Sequence, residues 1–418
     1  MRSGLPAVHD AEAARRVNSL GAAWAVNTLA NSIVYPFIPL YLHEVRCMPM
    51  AQVGLIFPVM GIAAIVGPPL AGMLADRIGR RMLVIGGTFG EGIAFLVLAF
   101  LTWRNASFPM LCIWLFIRSL LGSSFQSASH AYVTDLIVSD DRVLAFGRLR
   151  VGLNVGWMFG PAIGSFLARS PFALLFILTG VLCLATAVIC ALFCPEDVAH
   201  SPTAASTHDD SPSFFSLIRE NGHLTALLSL SLLLYLSVSQ FVSTLSVYST
   251  CVTGISKNLL GLLYMINGAM IIVLLLPINH LLRRTNLYGR IAAGAVLYAG
   301  SFLWFGAAGC WLDFACAIAV MTMGEILAMA SITAAVSQMA APAMVGRYMG
   351  ALGLISGMGW ALGPYLGSLA FERLKGTPMT LWAVLASGAV CAAAGFGLIA
   401  VRRTGRGCPC PSSAAAGP

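Results

Sequence analysis

Long apolar segments are the feature that most limits what this chain can fold into. A helix that crosses a bilayer needs about 20 mostly apolar residues, and twelve segments of about that length can be marked along the sequence. Only 10% of the residues are charged, whereas a soluble domain has about 25%. We therefore predict an all-α integral membrane protein with twelve transmembrane helices. The predicted segments are 17–42, 51–74, 82–102, 108–136, 149–168, 171–194, 223–250, 257–281, 291–311, 314–339, 345–371 and 378–401.

A ten-residue pattern, G-W-x-x-G-P-x-x-G-S, occurs at residues 156–165 and again at 359–368. Two copies about half a chain length apart indicate an internal duplication. Glycines four apart share a helix face and allow another helix to approach closely, and the proline allows the helix to bend. We expect this face to pack against helices of the opposite half. The predicted hinge and packing residues are Gly156, Gly160, Pro161, Gly164, Gly359, Gly363, Pro364 and Gly367.

A polar stretch rich in Ser, Pro, Thr and Asp separates the two sets of six segments. It has no helical periodicity, so we interpret it as a linker. The sequence thus predicts an N-terminal six-helix bundle over 1–194, a cytoplasmic linker over 195–222, a C-terminal six-helix bundle over 223–401 and a disordered cytoplasmic tail over 402–418. In a membrane protein, paired halves of this kind suggest alternating access to a central cavity.

Lysine and arginine are distributed unevenly among the loops. With the N-terminus inside, 17 of the 24 lie in cytoplasmic segments, six lie in outer loops and Arg118 lies within a segment. The positive-inside rule then predicts a multi-pass protein of the inner (plasma) membrane with both termini in the cytoplasm. The net charge of +8 does not indicate a nucleic-acid partner, because the basic residues stand in small groups at segment ends rather than in one patch.

The loop between the second and third segments, residues 72–81, reads G-M-L-A-D-R-I-G-R-R. This loop resembles the signature of the major facilitator superfamily, and the two six-helix halves and polar linker extend the resemblance along the whole chain. The resemblance implies a transporter with two parallel-repeat bundles around a central cavity. It also implies that the loop is a latch that holds the two halves in the outward-facing state.

A carboxylate at the end of the second segment can stabilise the N-terminus of a neighbouring helix, and an arginine four residues later can pair with an acid at the end of the fourth segment. The alternative is that the arginines of the loop only set the topology. The predicted latch residues are Gly72, Asp76, Arg77, Gly79, Arg80, Asp135 and Arg347.

Three ionisable residues lie deep within apolar segments: Glu91 in the third, Arg118 in the fourth and Glu325 in the tenth. A charged side chain at that depth needs a wet cavity or a partner. A carboxyl group in apolar surroundings favours its neutral, proton-bearing form, which suits a proton-coupled carrier. We favour Glu325 over Glu91, because the fourth and tenth helices line the cavity in this family. The alternative for each residue is a structural hydrogen bond.

Polar side chains within other apolar segments are candidates for the substrate cavity, and the alternative for each is a hydrogen bond between helices. These candidates are Asn27, Asn31, Gln126, Asn154 and Gln240.

The first copy of the decapeptide also resembles the antiporter motif of the superfamily, which favours export. We predict proton-coupled export of amphipathic small molecules, of the multidrug type, by alternating access. The alternatives are a sugar or metabolite transporter of the same superfamily and, from a different class, a non-transporting membrane sensor.

No enzymatic activity is predicted, since the sequence has no G-x-S-x-G, H-E-x-x-H or P-loop motif. The expected partners are a small-molecule substrate, protons and the lipid bilayer, and the expected state is a monomer without cofactor or metal.

Overall fold

Helices form all the regular structure in the residues that the computed structural model describes, which are 6–136, 142–168, 170–193, 219, 221–341 and 344–404. Twelve helices in these ranges have 17 or more residues, and we number them α1 to α12. They are α1 (Pro6–Val34), α2 (Ile56–Ile78), α3 (Arg80–Trp103), α4 (Phe108–Leu136), α5 (Arg142–Leu167), α6 (Ala173–Phe193), α7 (Gly222–Val238), α8 (Lys257–Leu281), α9 (Leu287–Ala307), α10 (Trp311–Met339), α11 (Val345–Leu374) and α12 (Pro378–Thr404).

Nine stretches of the described residues are long and apolar enough to cross a membrane. They are Met50–Ala75, Arg80–Trp103, Phe108–His130, Ala173–Phe193, Gly222–Val252, Lys257–Leu281, Leu287–Ala307, Trp311–Met339 and Pro378–Arg402. Helices α1, α5 and α11 are not in this set, although α5 contains a shorter apolar stretch, Val151–Leu167. The chain is therefore a multi-pass helical protein, and its predicted total of twelve spans stays a prediction.

Helices α1 and α7 lose their regular α-helical form at equivalent places. α1 continues into the 3₁₀ turn Tyr35–Phe37, and α7 continues into the 3₁₀ turn Ser239–Phe241. In the first case Pro36 supplies no backbone donor. In the second, the amide of Gln240 donates to the carbonyl oxygen of Leu236 at 2.8 Å, so a side chain competes for a backbone acceptor of the helix.

The packing of the helices repeats between the two halves. In the first half α1 packs against α5 and α6, α3 packs against α4 and α6, and α2 packs against α4. In the second half α7 packs against α11 and α12, α9 packs against α10 and α12, and α8 packs against α10. Each pairing in one half thus has its counterpart six helices later, which agrees with the duplication that the decapeptide indicates.

Two helix pairs join the halves, α5 with α8 and α2 with α11. Small residues allow the close approach. A Cβ atom added at Gly54 of the α2 region would lie 2.7 Å from the Cβ of Ser368, and one added at Gly268 of α8 would lie 2.7 Å from the Cα of Met158. These contacts run from one end of the molecule to about the middle of the helices.

We call that end, which carries residues 46–49, 253–256 and 375–377, the sealed end. Polar contacts between the halves add to it. Lys257 Nζ lies 2.9 Å from Glu44 Oε2, and the backbone N–H of Met50 donates to Glu372 Oε2 at 2.7 Å. At the opposite end, a Cβ atom added at Gly350 or Gly353 of α11 would meet none of the described residues within 4 Å. We call this the open end.

The decapeptide glycines face helices of their own half, so the expected contact with the opposite half is wrong. An added Cβ at Gly160 would lie 2.9 Å from the carbonyl oxygen of Leu29 in α1. One at Gly363 would lie 2.7 Å from the carbonyl oxygen of Leu236 in α7. The reason is that the glycine face of each helix is already occupied by the first helix of its bundle. Other decapeptide positions, Met158 and Ser368 among them, contact the opposite half.

Candidate functional site

A cavity of about 300 Å³ lies between the two halves, where α1, α2, α3, α4, α5 and α11 meet. The polar groups on its wall include Asn27, Asn31, Glu91, Arg118 and Gln126. Its aromatic groups are Tyr35, Phe57, Trp157 and Trp360. The cavity therefore combines a buried charged cluster with large apolar faces.

An ion pair joins α3 and α4 on the wall of this cavity. Arg118 Nε lies 3.4 Å from Glu91 Oε1, with 13% and 1% of the respective side chains exposed. Neither of these two atoms has a partner with hydrogen-bond geometry in the described residues. The contact is thus mainly a Coulombic one, and Arg118 also lies over the ring of Phe95, 5.0 Å from its centroid.

Two asparagines of α1 complete the cluster. Asn27 Nδ2 donates to Glu91 Oε2 at 3.1 Å, and Arg118 Nη2 donates to Asn31 Oδ1. Asn31 in turn donates to the backbone oxygen of Asn27 at 3.1 Å. Residues four apart lie on the same helix face, so both amides point at the ion pair from one side. Removing either member of a buried pair typically costs about 3–5 kcal/mol, because it leaves the other charge alone.

Glycines give Glu91 its position. Close packing of α3 on α4 requires Gly87, whose added Cβ would lie 3.2 Å from the carbonyl oxygen of Leu121. Close packing of α3 on α6 requires Gly92, whose added Cβ would lie 2.9 Å from the carbonyl oxygen of Gly180. The carboxylate itself fits because α4 has no side chain at Gly122, where a Cβ would lie 2.6 Å from Glu91 Oε1.

Glu325 lies in a separate polar cluster in the second half. It is half-buried on α10 and accepts a hydrogen bond from Asn267 Nδ2 at 3.1 Å. Asn267 also donates to Thr322 Oγ1 at 2.9 Å. Within the described residues the wall of the cavity includes Glu91 and Arg118 and does not include Glu325.

The other predicted cavity residues fall into two groups. Gln126 lies on the wall with Asn27 and Asn31. Gln240 is buried between α7 and α11, where its amide donates to the carbonyl oxygen of Gly363 at 2.6 Å, so it forms a hydrogen bond between helices. Asn154 is half-buried on α5 and does not belong to the described lining of the cavity.

Parts of the predicted latch lie outside the described residues, namely the side chains of Asp76 and Asp135. The turn between α2 and α3 is made by Gly79 at φ 86°, a left-handed conformation that a side chain disfavours. Arg77 and Arg347 are exposed, Arg80 is half-buried, and a Cβ at Gly72 would meet nothing within 4 Å. The latch stays a prediction.

Sequence reasoning missed the aromatic residues of the cavity. Trp157 and Trp360 are the second residue of each decapeptide copy, and both line the cavity. The ring of Tyr35 meets those of Phe57 and Trp157 edge to face, each with 6.3 Å between centroids. A tryptophan that recurs at the same repeat position was the signal that could have identified the pair.

Comparisons with known proteins agree with this architecture. The Major Facilitator Superfamily model matches residues 20–364. The chain is 25% identical over 366 residues to an uncharacterised MFS-type transporter, YqjV, of Bacillus subtilis (strain 168), covering 85% of this chain and 87% of that protein.

The quinolone resistance protein NorA of Staphylococcus aureus is 24% identical over 221 residues, which cover 53% of this chain and 55% of NorA. The crystal structure of the nucleoside transporter NupG superposes with a TM-score of 0.76 at 15% identity, covering 92% of this chain and 98% of NupG. The latter likeness concerns the fold alone. Since the superfamily model matches most of the chain, this multi-pass membrane protein belongs to the major facilitator superfamily of transporters.

Proposed function

We propose that this protein is a secondary active transporter that exports amphipathic small molecules in exchange for protons. The observation that carries the proposal is the Arg118–Glu91 ion pair on the wall of a cavity between the two halves. The carboxylate of such a pair can take up or release a proton. That change alters the charge of the pair that faces a bound molecule. The partial likeness to NorA, whose name refers to quinolone resistance, supports export of drug-like compounds.

The proposed architecture has twelve spans in two six-helix bundles, 1–194 and 223–401, joined by a cytoplasmic linker. The repeated helix pairings support it. The excess of arginine and lysine in one set of loops supports an orientation with both termini in the cytoplasm of a bacterial cell. In that orientation the sealed end faces outwards and the cavity opens inwards. Transport then requires the sealed end to open and the open end to close.

The sequence favours Glu325 as the proton carrier. We propose Glu91 instead. Glu91 is fully buried and is paired with Arg118 beside the cavity, whereas Glu325 accepts from Asn267 outside the described cavity wall. A proton on Glu91 removes the negative charge that attracts the guanidinium. Arg118 would then still donate to Asn31 through Nη2, but its Nε would no longer be attracted to a charged carboxylate.

This change makes substrate and proton binding mutually exclusive. While Glu91 is ionised, the pair holds the guanidinium in a fixed orientation at the cavity wall. When Glu91 is protonated, that orientation is lost and a bound molecule loses its polar contact. A substrate entering from the cytoplasm thus favours the ionised carboxylate, and a proton entering from outside favours release.

The test is transport by purified protein in proteoliposomes with an imposed pH gradient. Rhodamine 6G, ethidium and acridone would serve as amphipathic probes. We expect Glu91→Gln to lose proton-driven accumulation and to keep exchange of probe without a gradient. Glu325→Gln is the matched control, and we expect it to accumulate probe like the parent.

Three outcomes would contradict the proposal. Accumulation by Glu91→Gln equal to that of the parent would exclude Glu91 as the carrier. If the parent moves none of the probes when the gradient is imposed, proton-coupled export of amphipathic molecules is wrong. Loss of accumulation in Glu325→Gln alone would return the role to the acid that the sequence favours.

A further inference from the structure

The two halves contribute different chemistry to the cavity. The charged and amide side chains on its wall come from the first half. Within the described residues, the second half contributes Gly357, Trp360 and Ala361. Among the described residues, Trp360 is therefore the one large side chain through which the second half can contact a molecule in this cavity. A ligand here can contact the polar groups of the first half together with the indole ring of Trp360.

The polar wall presents a donor to the cavity. Glu91 is 1% exposed, whereas 13% of the Arg118 side chain is exposed, so more of Arg118 than of Glu91 is accessible to a ligand. Its Nε faces Glu91 and its Nη2 donates to Asn31. The contact of Nη1 is with the sulfur of Met60 at 3.9 Å. A thioether is a weak acceptor, so Nη1 has donor capacity for an oxygen atom of a ligand.

While Glu91 is ionised, the charge of the Arg118–Glu91 pair is balanced before any ligand binds. The guanidinium and the carboxylate together carry no net charge, so the cavity wall does not require an ionic ligand. A ligand carboxylate would compete with Glu91 for Arg118, and a ligand ammonium would face the more exposed guanidinium. An uncharged oxygen acceptor satisfies Nη1 and leaves the ion pair in place.

The apolar faces are flat. Trp157 and Trp360 occupy the same position in the two copies of the repeat and both line the cavity. Trp157, Tyr35 and Phe57 form an edge-to-face series of rings along the wall. Aromatic rings prefer offset stacking or edge-to-face contact with other aromatic rings, and a cavity of about 300 Å³ is at the small end for drug-sized ligands.

We propose that the substrate is a flat, uncharged aromatic compound with a carbonyl oxygen. The oxygen accepts a hydrogen bond from Arg118 Nη1, and the ring system packs against Trp360. Trp360 is the residue that distinguishes flat aromatic substrates from other amphipathic molecules. This inference rests on the proposed function, since it names the class of molecule that the exporter carries.

Equilibrium binding to the purified full-length protein tests the inference, with acridone as a fluorescent probe. Acridone is flat and uncharged and has one ring carbonyl. We expect saturable binding by the parent, and about tenfold weaker binding by Trp360→Ala. Trp360→Phe, which keeps a ring, should bind nearly as well as the parent. Trp304→Ala is the control, because Trp304 is an exposed tryptophan of α9 outside the cavity.

Competition against bound acridone tests whether a carbonyl oxygen on the ligand contributes to binding. Fluorenone and fluorene have the same flat tricyclic shape, and only fluorenone has the oxygen. Since a hydrogen bond from a charged donor contributes about 1.5–3 kcal/mol, fluorenone should compete at least about tenfold better than fluorene. That advantage should disappear in Arg118→Gln. Melting temperatures of all variants would show whether a loss of binding reflects unfolding.

Equal binding by Trp360→Ala and the parent would overturn the inference, as would equal competition by fluorenone and fluorene. If the parent does not bind acridone but still accumulates rhodamine 6G or ethidium under a pH gradient, the substrate class is wrong and the proposed function stands. If acridone binding follows the predicted pattern but no probe accumulates under a gradient, the site stands and proton-coupled export is wrong.

Discussion

The Glu91 carboxylate accepts a hydrogen bond from the amide of Asn27 at Oε2, and its Oε1 lies 3.4 Å from the guanidinium of Arg118 in an ion pair. The side chain is fully buried, so it has no alternative position in solvent. Gly122 provides the space for this arrangement, since an added Cβ would lie 2.6 Å from Oε1 and 3.1 Å from the carboxyl carbon. At the scale of single residues, the glycine at position 122 of α4 thus determines where the Glu91 carboxylate of α3 can lie.

Gly122→Ala should therefore displace the carboxylate from Arg118. We expect loss of proton-driven accumulation with a modest loss of stability, about 1–3 kcal/mol, as is typical of one extra methyl group in a packed interior. Gly86→Ala is the matched control on α3, because a Cβ there would meet nothing within 4 Å. Transport in proteoliposomes and thermal melting would be measured together, and parent-like accumulation by Gly122→Ala would contradict this role for Gly122.

The residues of the site were only partly predictable from sequence. The free-energy cost of burying a charge identifies Arg118, Glu91 and Glu325, because an ionisable group deep in an apolar segment needs a partner. Position along a segment gives depth, but it does not give the direction in which a side chain points around the helix or which helix lies beside it. The pairing of Arg118 with Glu91 depends on both. Trp360 was missed because an aromatic residue in an apolar segment is uncharged and needs no partner there.

In helices α5 and α11, the decapeptide makes contacts on two different faces of the helix. The glycines lie against the first helix of the same half, with Gly160 on α1 and Gly363 on α7. Ser368 lies against Gly54 of the opposite half. One face therefore belongs to the interior of a bundle, and the other belongs to the surface along which the halves meet. Substitutions on the two faces should have different effects.

Gly160→Val and Gly363→Val should lower stability rather than remove one transport state. Each new side chain would overlap the first helix of its own bundle, with added Cβ atoms 2.9 and 2.7 Å from backbone oxygens. We expect a loss of about 1–3 kcal/mol or more, measured as a lower melting temperature in detergent. Gly353→Val is the control on α11, because its added Cβ has no neighbour within 4 Å. Normal melting with impaired transport in the first two variants would contradict this assignment.

The positions of the helices were more predictable than their lengths. The predicted segments 257–281 and 314–339 lie close to α8, Lys257–Leu281, and α10, Trp311–Met339. By contrast α1 begins at Pro6, whereas the first predicted segment begins at residue 17. Hydropathy detects the part of a helix that prefers lipid, and it does not detect polar turns that continue the same helix into water.

At the scale of the whole molecule, the sealed end is held by a few polar contacts in addition to packing. Lys257 reaches Glu44 and the carbonyl oxygen of Ala168, at 2.9 and 3.4 Å, and Glu372 accepts from the backbone N–H of Met50. All of these contacts cross from one half to the other. Their side chains are 21–42% exposed, so each contributes little alone, of the order of 1 kcal/mol or less. Such modest energies suit the proposed cycle, in which this end has to open.

Glu372→Ala combined with Glu44→Ala removes both acceptors and should shift the population towards a state in which this end is open. Spin labels at Ser170 and Gly376, on exposed loops of the two halves, would report the distance after exposed native cysteines are replaced. We expect a longer distance to increase in population relative to the parent. Lys375→Gln is the control, because Lys375 pairs with Glu372 within the same half. An unchanged distance distribution would mean that packing alone seals this end.

The unequal wall of the cavity has a consequence for how such a carrier can change over evolutionary time. Since, among the described lining residues, the first half holds the charge and the amides and the second half offers a single indole, the two gene segments bear different selective burdens. Variants with a new chemical preference should accumulate in the first segment. The second can drift more widely, provided that it keeps Trp360 and the small residues that meet its partner, so changes in ligand preference should map mainly to one half of the gene.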